Sequence, residues 1–232
     1  MKTKNAIFIL STTLFALVSC KSKWKEPVDT TFHFEAKQSI SSQSNLQEGN
    51  FFVESAYLEL TNFAFEGYRE QGNSPVTFSE ANIEDLTLEN GVSKRVSIKK
   101  QLVQGTYTSI NVGVGTALIS VSGYTRFRGE IVPFSFEYSQ ELSHKTKAKD
   151  ANNSAQIVFE KNHPKEATIS IDISSWFSEI TPQVLDVATF KDYGGNPPQG
   201  QPNVQLIIDN ATNPNIYLNL VNKIESSISV TF

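Results

Sequence analysis

Apolar side chains return at every second residue in run after run of this chain. Phe32, Phe34 and Ala36 share one face of residues 31–37. Ile110, Val112 and Val114 share another, then Phe134, Phe136 and Tyr138, then Ile169, Ile171 and Ile173. A repeat of two is the repeat of an extended strand with one side buried. Turn chemistry punctuates the runs: Gln71 to Pro75, the pair Asn90-Gly91, and residues 191–203 with three Pro and three Gly. About ten short strands with no strand–helix alternation predict an all-β fold, an antiparallel β-sandwich.

The longest strand signal covers residues 51–68, with Leu58 and Leu60 on one face and Tyr57, Phe63 and Phe65 on the other. Residues 106–114 and 117–127 read as two further strands, and 129–138 as another behind Pro133. Residues 80–89 mix acids with Ile83, Leu86 and Leu88 and fix no state; 144–154 read as a polar loop. Trp176 and Phe177 break the period and are expected to cap one end of the core. One α-helix closes the chain, predicted over 214–229, with Asn213 as N-cap and Pro214 at its first position. Ile216, Leu220, Ile224 and Ile228 form its apolar stripe, which packs on the sandwich. No linker divides residues 30–232, so they are read as one domain.

The N-terminus carries a second kind of signal. Lys2 and Lys4 precede an apolar run of 13 residues, 6–18, too short for the ~20 that span a bilayer. Small Ser19 and then Cys20, the sole cysteine among 232 residues, end the run. Residues 1–19 read as a cleavable signal peptide. Leu17, Val18, Ser19 and Cys20 resemble a bacterial lipobox, which implies acylation of Cys20 and cleavage before it. Two or more acyl chains anchor stably at ~0.8 kcal/mol per buried CH2. Residues 20–29 are then a lipidated tether, and Trp24 within it has the amphipathic ring of a membrane-interface residue. With Cys20 spent on the anchor, no disulfide can staple the domain, and stability rests on a core rich in Phe, of which there are 16. Removing Lys2 and Lys4 leaves 18 cations against 24 acids, a formal −6. That balance speaks against nucleic acid.

From Val53 onward the order Tyr57-Leu58-Glu59-Leu60, Asp85 to Gly91, and Gly105-Thr106-Tyr107 with Ile110 resembles uncharacterised lipoproteins of Bacteroidetes-type bacteria. The resemblance implies a transthyretin-like or immunoglobulin-like β-sandwich. A weaker similarity is to the periplasmic copper-binding partners of methanobactin systems, and no metal site carries over from it. Asp29-Thr30-Thr31 matches the pattern such bacteria glycosylate, which makes Thr30 a glycosylation candidate on the expectation that it is exposed. The basic residues after Cys20 lack the acidic run of surface-directed lipoproteins. The expected location is the outer membrane, on its periplasmic face.

Chemistry-bearing motifs are sparse. His33, His144 and His163 have no metal-ligand spacing, and His33 is expected to face solvent. Glu84-Asp85, and Asp192 with Asn196, do not match a calcium loop. No Gly-x-Ser-x-Gly elbow occurs, and Gly113-Val114-Gly115 precedes a strand instead of a phosphate-binding helix. The expectation is a protein without cofactor or metal and without enzymatic activity. It is read as a binding module, tethered to the membrane, with an unknown protein or small-molecule partner. The candidate contact loop holds Asp192, Tyr193 and Asn196, because sandwich loops cluster where ligands are met. Two alternatives stay open: a structural subunit of a fimbria-like or envelope complex, and a periplasmic copper or other metal carrier.

Overall fold

A computed structural model describes residues 26–39, 42–192 and 202–232. Two long strands set its frame. β2 (Phe51–Arg69) and β7 (Gly105–Phe127) pair antiparallel, from Phe51 opposite Thr125 to Arg69 opposite Tyr107. Their register shifts at four places, including Val53/Ser55 and Leu58/Leu60. Such bulges bend and twist a ribbon, so the pair wraps the core. The sequence pattern splits β7 at Gly115-Thr116; the bulges absorb that break and the strand runs on.

β2 and β7 are flanked differently along their length. Residues 55–58 of β2 pair with β4 (Leu86–Glu89), and 62–67 pair with β3 (Val76–Ala81). Residues 119–127 of β7 pair with β8 (Glu130–Tyr138), and 111–116 pair with β9 (Leu142–Lys147). β10 (Ile157–Phe159) joins at Gly105 to Tyr107. Asn90 and Gly91, both at positive φ, make the expected tight hairpin, whose return strand β5 (Val92–Ser93) is only two residues. Residues 80–89 resolve into the end of β3, a bend, and β4.

The second sheet has four strands in the order β14 (Ile228–Thr231), β11 (Lys165–Asp172), β1 (Pro27–Lys37) and β6 (Val96–Val103). β1 and β11 run parallel, as do β8 and β13 (Val204–Ile208), so the sandwich is not purely antiparallel. Each parallel pair is joined by a long excursion, which two strands entering from the same end require. β12 (Phe190–Asp192) takes up the first two residues of the expected 191–203 loop and pairs with β13, which begins just after its last.

Between the sheets lies an aromatic core. Phe32 sits 4.9 Å from Phe63 and 5.8 Å from Phe78; Phe34 sits 5.3 Å from Phe63; Phe65 stacks on Phe78 at 5.2 Å. Each pair adds ~0.5–1.5 kcal/mol beyond burial. Trp176, on α1 (Ile173–Trp176), and Phe177 cap one end as expected, with Phe177 stacked on Phe51 at 4.8 Å. α2 (Pro182–Asp186) follows.

The terminal helix, α3 (Pro214–Ser226), buries Ile216, Leu220 and Ile224. It stops before Ile228, which belongs to β14 and pairs with Ile171. Ile228, Val230 and Phe232 carry the period of a strand. Asn213 stands at the N-cap without capping: its side chain accepts from the Thr189 N–H at 2.9 Å and donates to the Ile207 carbonyl at 2.7 Å, tying the approach to β12 onto β13.

One boundary shifts at the N-terminus. β1 begins at Pro27, with Val28 only 2% exposed, so residues 27–29 are sandwich and not tether. Trp24 lies outside the described residues.

Candidate functional site

Alternation places every second side chain of the long sheet on its outer face. Where β3, β2, β7 and β9 lie side by side, register builds a lattice there. One row reads Ser79, Ala64, Gly113, Lys145. Its neighbours read Thr77, Glu66, Asn111, Lys147 and Ala81, Asn62, Gly115, Ser143. The two central strands thus contribute Ala64 and Gly113 side by side, and the outer strands contribute polar groups. Small residues in the middle and longer ones at the rim make a trough of about 420 Å³. An ideal Cβ on Gly113 would come within 3.4 Å of the Ala64 Cβ, so the floor is already at contact.

Glu66 organises one wall. Its carboxylate accepts hydrogen bonds from Lys145 Nζ at 3.0 Å, Asn111 Nδ2 at 3.0 Å and the Tyr68 hydroxyl at 2.9 Å. Those donors, Lys145 first, hold the carboxyl below its ordinary range, so it is ionised at neutral pH. The acceptor raises the Tyr68 phenol in turn. Asn62, Thr77, Ser79 and Ser143 form no side-chain hydrogen bond among the described residues and present their groups to the trough. The arrangement offers amide, hydroxyl, carboxylate and ammonium groups around an uncharged floor. That is hydrogen-bonding equipment for a polar ligand.

A second constellation sits on the outer face of the four-stranded sheet. His33 of β1 lies opposite Ser97 of β6, with Nδ1 2.7 Å from the Ser97 Oγ, and its Nε2 is 3.6 Å from Glu166. Its side chain is 13% exposed, covered by these neighbours more than the expected solvent-facing position implies. Serine, imidazole and carboxylate are the parts of a hydrolytic triad, which is recognised by geometry. Here Ser97 lies on β6, the edge strand of that sheet, and the three groups come from three neighbouring strands, β6, β1 and β11.

Of the site residues expected from sequence, Thr30 and Asp192 fall among the described residues. Cys20, Leu17, Val18 and Ser19 lie outside the described residues, as do Tyr193 and Asn196. Asp192 ends β12, exposed, opposite Val204. Thr30 is a correction: it is 1% exposed and its hydroxyl donates to the Val28 carbonyl at 3.2 Å, because its side chain points inward from β1. A glycosyl transfer there would require the strand to open. Asp85 accepts from Tyr57 at 2.7 Å, a bond that pushes the phenol up to about 12, and Glu84 pairs with Lys94. His144 is on β9 and not in a loop; it points inward, 5% exposed. His163 is exposed in the turn after β10. Among the described residues no three His, Cys, Asp or Glu side chains gather as metal ligands, and no helix is long and apolar enough to cross a membrane.

Comparison with protein-family models, with curated proteins and with solved structures found no match.

Proposed function

We propose that this chain is a lipid-anchored envelope protein that works as a binding module, with the trough on the outer face of β2 and β7 as its contact site. One observation carries the reading: four polar side chains, Asn62, Thr77, Ser79 and Ser143, face a cavity of about 420 Å³ with no partner among the described residues. The volume suits a compact polar ligand. Glu66 and Lys145 offset each other's charge, which favours a ligand recognised by hydrogen bonds over a highly charged one. The anchor reading rests on Leu17, Val18, Ser19 and Cys20, and the proposed location, the periplasmic face of the outer membrane, on the basic residues that follow Cys20 in place of an acidic run.

Native mass spectrometry of the protein purified from its own cells tests the reading. A discrete added mass, absent from a Gly113→Phe variant whose ring fills the trough, supports it. An added mass that survives Gly113→Phe, or none at all, overturns the site. A stoichiometric metal would favour carriage, and concentration-dependent oligomers a structural subunit. For the anchor, Cys20→Ala is expected to release the protein from membranes.

A further inference from the structure

The trough on β2 and β7 is bounded as a short recess, and its bounds narrow the class of ligand. Its floor is carbon, the Ala64 Cβ beside Gly113. At one end the Asn62 amide lies across Gly115, in the space that a Cβ on that glycine would need. At the other end Glu66 and Asn111 stand opposite each other on the same two strands, bonded at 3.0 Å. Asn62 and Glu66 are four residues apart, ~13 Å of strand before their side chains are counted, which leaves room for one small ring. Beyond Glu66 on the same face lies Tyr68, a large side chain left 42% exposed. Its hydroxyl donates to Glu66, two residues back, at 2.9 Å, so its ring is held along the sheet instead of standing off it.

Each class of ligand asks something different of such a recess. An anion needs an excess of cationic donors, and a cation an excess of acidic acceptors. The charged side chains that line the trough, Glu66 and Lys145, are bonded to each other, so neither excess exists. An extended peptide that adds to a sheet needs free backbone N–H and C=O groups. Here β2 is flanked by β3 and β7, and β7 by β2 and β9, so the backbone of the floor is spent in ladders. The groups without a side-chain partner among the described residues are one amide and three hydroxyls, on Asn62, Thr77, Ser79 and Ser143. All four both donate and accept. A sugar carries matching equipment: hydroxyls that donate and accept, set around a ring whose faces are C–H. Its hydroxyls suit the rim, and its C–H faces suit the Ala64–Gly113 floor and the flat side of Tyr68.

We infer that the trough is a saccharide site: one pyranose ring sits over Ala64 and Gly113, and the sugar chain continues across Glu66 onto the ring of Tyr68. The inference rests on the trough being the contact site and names what that site takes. The test starts from the full chain purified from its own cells, whose bound adduct is released and fragmented by mass spectrometry. The expected fragments are pentose, hexose or amino-sugar residues, and periodate, which cleaves between neighbouring hydroxyl-bearing carbons, should destroy the adduct. The released saccharide is then titrated back onto ligand-free protein made in a heterologous host. Asn62→Ala and Tyr68→Ala should each weaken binding about tenfold, the scale of one lost bonded or stacked contact, with melting temperatures unchanged. If either variant melts lower, Ser79→Ala and Ser143→Ala, at exposed rim positions, supply the comparison. An adduct that is lost in Gly113→Phe but contains no sugar residue overturns this inference and leaves the trough as the contact site. An adduct kept in Gly113→Phe, or no adduct in wild type, overturns both. A saccharide that binds wild type and the rim variants alike overturns the inference as well.

Discussion

The outer faces of the two sheets carry similar residues and use them differently. On the four-stranded sheet, polar groups pair with each other: His33 Nδ1 with Ser97, leaving only its Nε2 without a hydrogen bond, Ser170 donating to Glu35, and Lys37 on that same carboxylate. On the long sheet, Ala64 and Gly113 stand side by side, and the polar groups around them face a trough. Serine, threonine and acid occur on both. What separates a solvated face from a site is the pair of small residues on the two central strands, which leaves a hollow lined by Asn62, Thr77, Ser79 and Ser143 while Glu66, Asn111 and Lys145 bond one another along its wall.

Ways to break or sharpen that contrast run from large effects to small. Phe63 lies under both faces, against Phe32, Phe34 and Phe78. Phe63→Ala should cost ~3–5 kcal/mol in urea unfolding, because it empties a core the two sheets share. A cost under ~1 kcal/mol would mean that the sheets are held elsewhere.

Two glycines of β7 should separate next. A Cβ on Gly123 would lie 2.0 Å from the Phe52 carbonyl oxygen, at the bulge, where backbone cannot give way cheaply. A Cβ on Gly113 meets nothing nearer than the Ala64 Cβ at 3.4 Å, with the His144 carbonyl oxygen at 3.7 Å. Gly123→Ala is expected to destabilise by ~1–3 kcal/mol or more, and Gly113→Ala to stay within ~1 kcal/mol, measured by thermal unfolding. The reverse order would show that the floor of the trough is tighter than the bulge.

Beneath the trough, His144 supplies a pH effect. Burial pushes its pKa down from 6.5, with Glu225 of α3 acting the other way, and its Nε2 has no partner. The unfolded chain then takes up the proton first. Stability is whole above pH ~6.5 and falls as pH drops below it toward the folded value. Carboxyls, near 4 in ordinary settings, titrate below that window. Melting temperatures from pH 7.5 to 5.5 should decline, and His144→Gln should flatten the slope whatever its own stability.

The smallest effect is expected on the flat face. Ser97→Ala should change stability by no more than ~0.5 kcal/mol, as exposed positions do. A fluorophosphonate should leave Ser97 unlabelled; labelling there would turn the His33 constellation into an active site.

The strand period was legible in the sequence, and so was the all-β class, because half-buried strands must alternate. What pairs with what was not. Glu66 and Lys145 are 79 residues apart, and only the β2–β7–β9 register brings them together. Ala64 and Gly113 carry no apolar signal, since a floor is made by the absence of side chains. His144 hid in a run that looked like a polar loop: β9 buries Leu142 and His144 while Ser143 and Lys145 face out, and one imidazole is a weak marker of an inward face. Thr30 misled for the opposite reason, a polar residue beside the tether that turns inward and bonds its own backbone. Of the candidate contact loop, only Asp192 falls among the described residues, exposed at the end of β12.

In-cell photocrosslinking compares the two faces most directly. A benzophenone amino acid replaces Ser79 at the rim of the trough, and in a second strain replaces Thr168 on the four-stranded sheet. A discrete adduct from position 79 and none from position 168 is the expected result. Equal adducts from both positions, or an adduct from 168 alone, would contradict the trough as the place where this protein meets its ligand.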